Sequence, residues 1–201
     1  MQEVSINKEA KLSPHLASPS VAALGNSSEL DCTRLSPHFK LEELTKTSVK
    51  GVDNTPNHAA VLNLKNLCVW LEALREEYNR RYGEDSSLVS GPSRMVAPPT
   101  GTRPHRSSLP IVINSGYRSE AVNKAIGGVA GSNHLTGCAV DIHVDGIKQA
   151  MRYAVILLDE SDENHLDFDE LLIERSPKGT YWLHFAVRPS GNRRKVRFIQ
   201  T

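Results

Sequence analysis

A chain of 201 residues, 39% hydrophobic and 23% charged, is long enough to bury one sizeable core and reads as a soluble globular domain. A formal net charge of +1 gives no electrostatic case for nucleic acid, and no apolar run reaches membrane-spanning length. The cysteines, Cys32, Cys68 and Cys138, are too scattered for a disulfide framework or a cysteine zinc site, so Cys68 and Cys138 are expected as reduced, small apolar residues.

Residues 1–33 are rich in Ser, Asn and Pro and sustain no hydrophobic period, which predicts a flexible arm ahead of a domain over 34–201. The N-terminus has no apolar signal core, so the protein is expected to be made in the cytoplasm, reaching the outside only if a separate system releases it. Leu41-Glu42-Glu43-Leu44 predicts one short helix at the domain's entrance. Thr55 then reads as an N-cap with Pro56 in the first helical position. Behind them Val61, Leu64, Leu67, Cys68, Leu71, Leu74 and Tyr78 recur at helical spacing, giving a long core helix to about Arg81 that stops at Gly83. Trp70 falls off that stripe and is expected beside the core or half exposed. The Pro-, Gly- and Ser-rich stretch 84–108 reads as a mobile insertion.

Pro110 to Asn114 predicts a short β-branched strand leading into Ser115-Gly116-Tyr117-Arg118-Ser119, with Ser119 capping a short helix that Gly127-Gly128 ends. Arg118 is thereby held at a strand-to-helix corner. Farther on, Asp145 is expected to cap a helix to about Leu158 whose apolar face is Ile147, Ala150, Met151, Ala154, Val155 and Leu158, followed by an acidic loop over 159–167. A third strand region begins at Phe168, and the basic strand from Arg193 to Ile199 suits a solvated sheet edge.

Between these elements lie the residues that carry chemistry. His134 and Asp141 are seven positions apart, with Gly137 between them to allow a turn. From Ala139 the chain alternates, placing Ala139, Asp141 and His143 on one side and Val140, Ile142 and Val144 on the core side. Tyr181 to Val187 alternates likewise, so His184 shares a face with Trp182 and Ala186. Two imidazoles and a carboxylate, with a fourth position open, suit a catalytic rather than a structural zinc. One Zn2+ per chain, held by His134, Asp141 and His184, is the expectation.

These motifs resemble the zinc D-alanyl-D-alanine carboxypeptidase and endolysin family, whose metal centre is similar to that of the hedgehog signalling domain. The matching residues are Ser115-Gly116-Tyr117-Arg118-Ser119, Ser132-x-His134-x-x-Gly137-x-Ala139-x-Asp141-Ile142 and Trp182-Leu183-His184. Leu35 to Leu44 and Ser190 to Arg194 are similar to the phage and prophage branch, so the resemblance spans about 34–201. It implies an α+β fold with a small central antiparallel sheet flanked by helices. It also implies a zinc peptidase that hydrolyses peptidoglycan stem peptides at a D-alanine-containing bond, as a carboxypeptidase or an endolysin-type endopeptidase. Zinc in such a site lowers the pKa of bound water to about 7. Arg118 is expected to stabilise the oxyanion or hold a substrate carboxylate, and Glu174 to act as general base. Some relatives carry that glutamate three residues before the last ligand, where this chain has Tyr181, and others use a histidine where it has Trp182. His143 is a second candidate base, and Trp182 and His143 are expected against substrate. The expected partner is peptidoglycan or a D-amino-acid peptide, with no nucleic acid, no membrane insertion and a monomeric state. A non-catalytic zinc-containing wall-binding module and a cytoplasmic D,D-dipeptidase are the alternatives.

Overall fold

A computed structural model describes residues 33–83 and 108–200. The arm expected over 1–33 and the insertion expected over 84–108 therefore lie outside the described residues, apart from Thr33 and Ser108. The described chain is α+β. Its elements run α1 (Leu41–Thr45), α2 (His58–Tyr82), β1 (Ile113–Ser115), α3 (Glu120–Ala125), a 3₁₀ turn (Asn133–Thr136), β2 (Ala139–His143), α4 (Ile147–Glu163), β3 (Glu170–Arg175), β4 (Tyr181–Ala186) and β5 (Lys195–Gln200). The strands form one sheet in the order β1-β2-β4-β3-β5. Three of its pairings are antiparallel, but β5 runs parallel to β3, so the sheet is mixed rather than purely antiparallel. The chain returns across the Arg188–Arg194 turn to enter that edge in the same direction as β3, with Arg194 N–H donating to Phe168 O.

Strand alternation divides the sheet into two faces. Val140, Ile142, Leu183, Phe185, Leu171 and Ile173 turn to the core, each no more than 8% exposed, where α2 and α4 cover them. Helix α2 begins two residues later than the sequence suggests. Asn57, not Thr55, is its N-cap, with Oδ1 accepting from Ala60 N–H at 2.9 Å, and Pro56 lies just outside the helix. Thr55 instead closes a turn on Asp53. Trp70 is 5% exposed and packs on Phe185 with ring centroids 5.2 Å apart, contrary to its expected flanking position. The arc that α2 buries is wider than one stripe, because the sheet and α4 both press on it.

Helix α4 also departs from its expected form. Gly146 is its N-cap, with no side-chain cap bond, and Asp145 contributes only its N–H, donated to Gln149 Oε1. The helix runs on to Glu163, absorbing half of the expected acidic loop. Its buried residues are Ala150, Tyr153, Ala154, Ile156, Leu157 and Ser161, while Ile147, Met151 and Val155 are exposed. Tyr153 sets this rotation by packing edge-on against Tyr78, both hydroxyls accepting from Gln149 Nε2. The acidic residues find cations: Asp159 pairs with Arg81, and Asp162 and Asp167 with Arg194. Among the described helices none is long and apolar enough to cross a membrane.

Candidate metal centre

The other face of the sheet is organised in rows across the strands. Register places Ser115, Asp141, His184, Leu172 and Arg197 in one row. His143, Trp182, Glu174 and Ile199 form the next row on one side, and Ala139, Ala186, Glu170 and Lys195 the next on the other. Neighbouring rows on one face are about 6.6 Å apart along the strands. Asp141 and His184 are thus fixed side by side by the antiparallel ladder itself.

His134 arrives from outside the sheet, on the 3₁₀ turn. Ser132 Oγ caps this turn, and Gly137 ends it in the left-handed conformation at φ 71°. A Cβ at Gly137 would lie 2.5 Å from Ala60 O on α2, so glycine is required both by its dihedral and by the close helix. Asn63 Nδ2 donates to Thr136 O and ties the turn to α2. The His134 ring is 3% exposed, and its Nδ1 is 2.6 Å from Gly116 O. A carbonyl can only accept, so Nδ1 carries the proton and Nε2 keeps its lone pair for a metal. Gly116 has its own constraint, since a Cβ there would sit 2.3 Å from Leu44 O.

Three donors converge. Asp141 Oδ1 is 3.3 Å from His134 Nε2 and 2.9 Å from His184 Nδ1, and one ligand atom from each residue lies within 4.8 Å of the others. Ligands about 2.0–2.1 Å from a tetrahedral zinc are about 3.3 Å apart, so both distances to Asp141 Oδ1 are near that spacing, and the two imidazoles would draw together around the ion. All three residues are buried. Burial alone would raise the Asp141 pKa, but hydrogen bonds and charge from His134 and His184 outweigh it and hold the carboxyl far below the usual range. Burial likewise disfavours a charged His184, yet Asp141 and Glu170 push its pKa up to about 9.

Arg118 does not stand free. Its Nη2 donates to Asp141 Oδ2 at 2.5 Å and its Nε to Ser115 Oγ at 2.9 Å, while its backbone N–H donates to His134 O. The Nε edge of the fork is thereby committed to the protein, leaving three guanidinium N–H bonds. Glu174 lies in the row beside His184, paired with Trp182, and its carboxylate has no hydrogen-bond partner among the described residues. Burial raises its pKa first of all; His184 pulls it down, Asp141 pushes it up and Arg118 pulls it down, leaving it raised. His143 shares the same row but is half exposed, with Nε2 3.6 Å from Asp145 Oδ1. Trp182 stands between the two, half-buried.

The sequence reading did not single out Glu170. It lies on the same strand and face as Glu174, one row to the other side of His184. The period-two step Glu170-x-Leu172-x-Glu174 was the signal available for it. Its Oε2 is 3.6 Å from His184 Nε2, and Lys195 Nζ donates to its Oε1 at 2.8 Å.

Residues 101–162 of the chain match the family model described as Peptidase M15. That stretch carries Arg118, His134 and Asp141, and stops short of His184. No curated protein matches the chain. The match and the His-Asp-His geometry together support a metallopeptidase of the M15 type, a zinc-dependent class.

Proposed function

We propose that the protein is a zinc peptidase that hydrolyses stem peptides of bacterial peptidoglycan at a D-alanine-containing bond, acting as a carboxypeptidase or an endolysin-type endopeptidase. The observation that carries this reading is the meeting of His134 Nε2, Asp141 Oδ1 and His184 Nδ1 at the face of the sheet turned away from the core. When bound, zinc would supply Lewis acidity and a water acidic enough to react near neutral pH.

The chain's own residues divide the remaining work. His134 is locked as a donor by its bond to Gly116 O, and Asp141 is kept ionised by its neighbours. Glu174 is the general base. It is one row from His184, its carboxylate is unpartnered among the described residues, and its raised pKa suits it to take a proton from the attacking water and return it to the leaving amine. Arg118 braces Asp141 through Nη2, and its remaining N–H bonds supply the positive charge against which a developing oxyanion or a substrate carboxylate can rest. Trp182 gives a flat apolar surface between Glu174 and His143 on which a peptide can lie.

The test is incubation of purified peptidoglycan with the zinc-loaded protein, followed by mass spectrometry of the products. The expected result is free D-alanine or shortened stem peptides, lost on chelation and restored by zinc. Intact peptidoglycan from an enzyme shown to hold zinc would refute the reading and favour a non-catalytic wall-binding module.

A further inference from the structure

The two glutamates of β3 flank His184 from opposite sides but have opposite surroundings. Glu174 has no partner among the described residues, whereas Glu170 is enclosed by donors. Lys195 Nζ donates to Glu170 Oε1 at 2.8 Å, Arg193 Nη2 is 3.1 Å from the same oxygen, and Asn133 Nδ2 donates to Oε2 at 3.2 Å. Asn133 also donates to Asp169 Oδ2 at 2.8 Å, and Asp169, fully buried, takes a two-pronged grip from Arg193 Nε and Nη2, both at 2.7 Å. Glu170 is therefore a poor base but a firmly fixed anion. Its Oε2 faces the one nitrogen of His184 that is turned away from Asp141.

We propose that Glu170 is the positioning residue for His184: it holds the Nε2–H of the imidazole so that Nδ1 presents its lone pair to the metal. The gap of 3.6 Å is that of an ion pair rather than a hydrogen bond, short enough for the carboxylate to select the tautomer. The chemical requirement is symmetrical with that at His134. There a backbone carbonyl fixes the outer nitrogen; at His184 no backbone carbonyl among the described residues accepts from Nε2, and the carboxylate serves instead. Outer partners of metal-bound imidazoles commonly govern metal affinity about 10–100-fold. Asn133 extends the arrangement, because the residue next to His134 is bonded to the carboxylate behind His184. The inference rests on the metal reading of the site, but not on any particular substrate.

The experiment measures zinc affinity by competition with a chromophoric chelator, for the full chain and for Glu170→Gln, Glu170→Ala and Lys195→Met. Zinc Kd should rise roughly 10–100-fold for Glu170→Ala and by a smaller factor for Glu170→Gln, which keeps an acceptor oxygen. Lys195→Met removes an ion pair from Glu170 without touching His184, so its zinc Kd should stay within about threefold of wild type. Nitrogen-15 spectra of the zinc-loaded wild type should report His184 with its proton on Nε2. If Lys195→Met weakens zinc as much as Glu170→Ala does, Glu170 only stabilises the sheet edge and the inference fails. Unchanged Kd in both Glu170 variants, or a proton on Nδ1, overturns it as well. If Glu170→Ala does not fold, the graded loss in Glu170→Gln decides alone. A wild-type chain that binds no zinc would sink the metal reading and this inference with it, whereas zinc binding without hydrolysis would sink only the peptidase reading.

Discussion

Replacing Glu174 by glutamine separates the proposed base from everything around it. The amide is nearly isosteric, and Glu174 is not among the three converging donors, so fold and zinc content should be preserved. A positioned general base contributes about 10²–10⁴-fold to kcat, which is about 2.7–5.5 kcal/mol of barrier. The site adds a second signature. Burial, the largest influence on Glu174, lifts its pKa above the ordinary glutamate range. A base works only when deprotonated, so kcat/KM of the wild type should fall as pH drops through that raised pKa. In Glu174→Gln this acidic limb should be missing, leaving a low and flatter profile. The assay is steady-state hydrolysis of a soluble D-alanine-terminated peptide between about pH 4 and 8, with zinc content measured on the same samples. A kcat within threefold of wild type, with the acidic limb intact, would refute the assignment. If His143→Ala loses activity instead, the half-exposed histidine at the other end of the row is the base.

Three further outcomes are expected. Because His184 is protonated up to about pH 9 in the metal-free chain, zinc binding at pH 7 should release about one proton from it. Affinity should thus rise with pH, as calorimetry in buffers of different ionisation enthalpy would show; no proton release would show that His184 is already neutral at pH 7, against its raised pKa. Gly137→Ala forces a left-handed Cβ against Ala60 O, so it should cost at least about 1–2 kcal/mol of stability and loosen His134, read as a lowered Tm and a weaker zinc Kd. Arg118→Lys keeps the charge but cannot contact Ser115 and Asp141 together, so it should lower kcat more than it raises KM; the reverse pattern would show that Arg118 acts mainly on a substrate carboxylate.

The metal ligands were legible because their chemistry and spacing are local. His134, Gly137 and Asp141 occupy one turn and one strand, and the alternation around His184 gives its face without any tertiary knowledge. Arg118 was legible as a residue but not in its attachment, since only the β1–β2 pairing brings Ser115 opposite Asp141. Glu170 escaped notice because its meaning depends on two pairings at once. Strand β4 puts it beside the metal row, and the parallel β5 brings up the lysine and arginine that disqualify it as a base. The two long helices depart from their expected faces for different reasons: α2 buries a wider arc that takes in Trp70, whereas the packing of Tyr153 against Tyr78 turns the buried face of α4 away from Ile147, Met151 and Val155. At the start of α2, Thr55 and Asn57 are both good caps by type, and the choice falls to Asn57 because Asp53 already holds Thr55 in a turn.

Zinc stoichiometry decides whether His134, Asp141 and His184 form a metal site. The wild-type protein and its His134→Ala, Asp141→Ala and His184→Ala variants would be purified, dialysed against a weak chelator and analysed for metal. Each substitution takes one of three donors from a site that has no others among the described residues. About one zinc per chain is expected in the wild type and almost none in any variant. Stoichiometric zinc retained by folded, dialysed His184→Ala would contradict it, because the ion would then be held somewhere other than the row that joins Asp141 to His184.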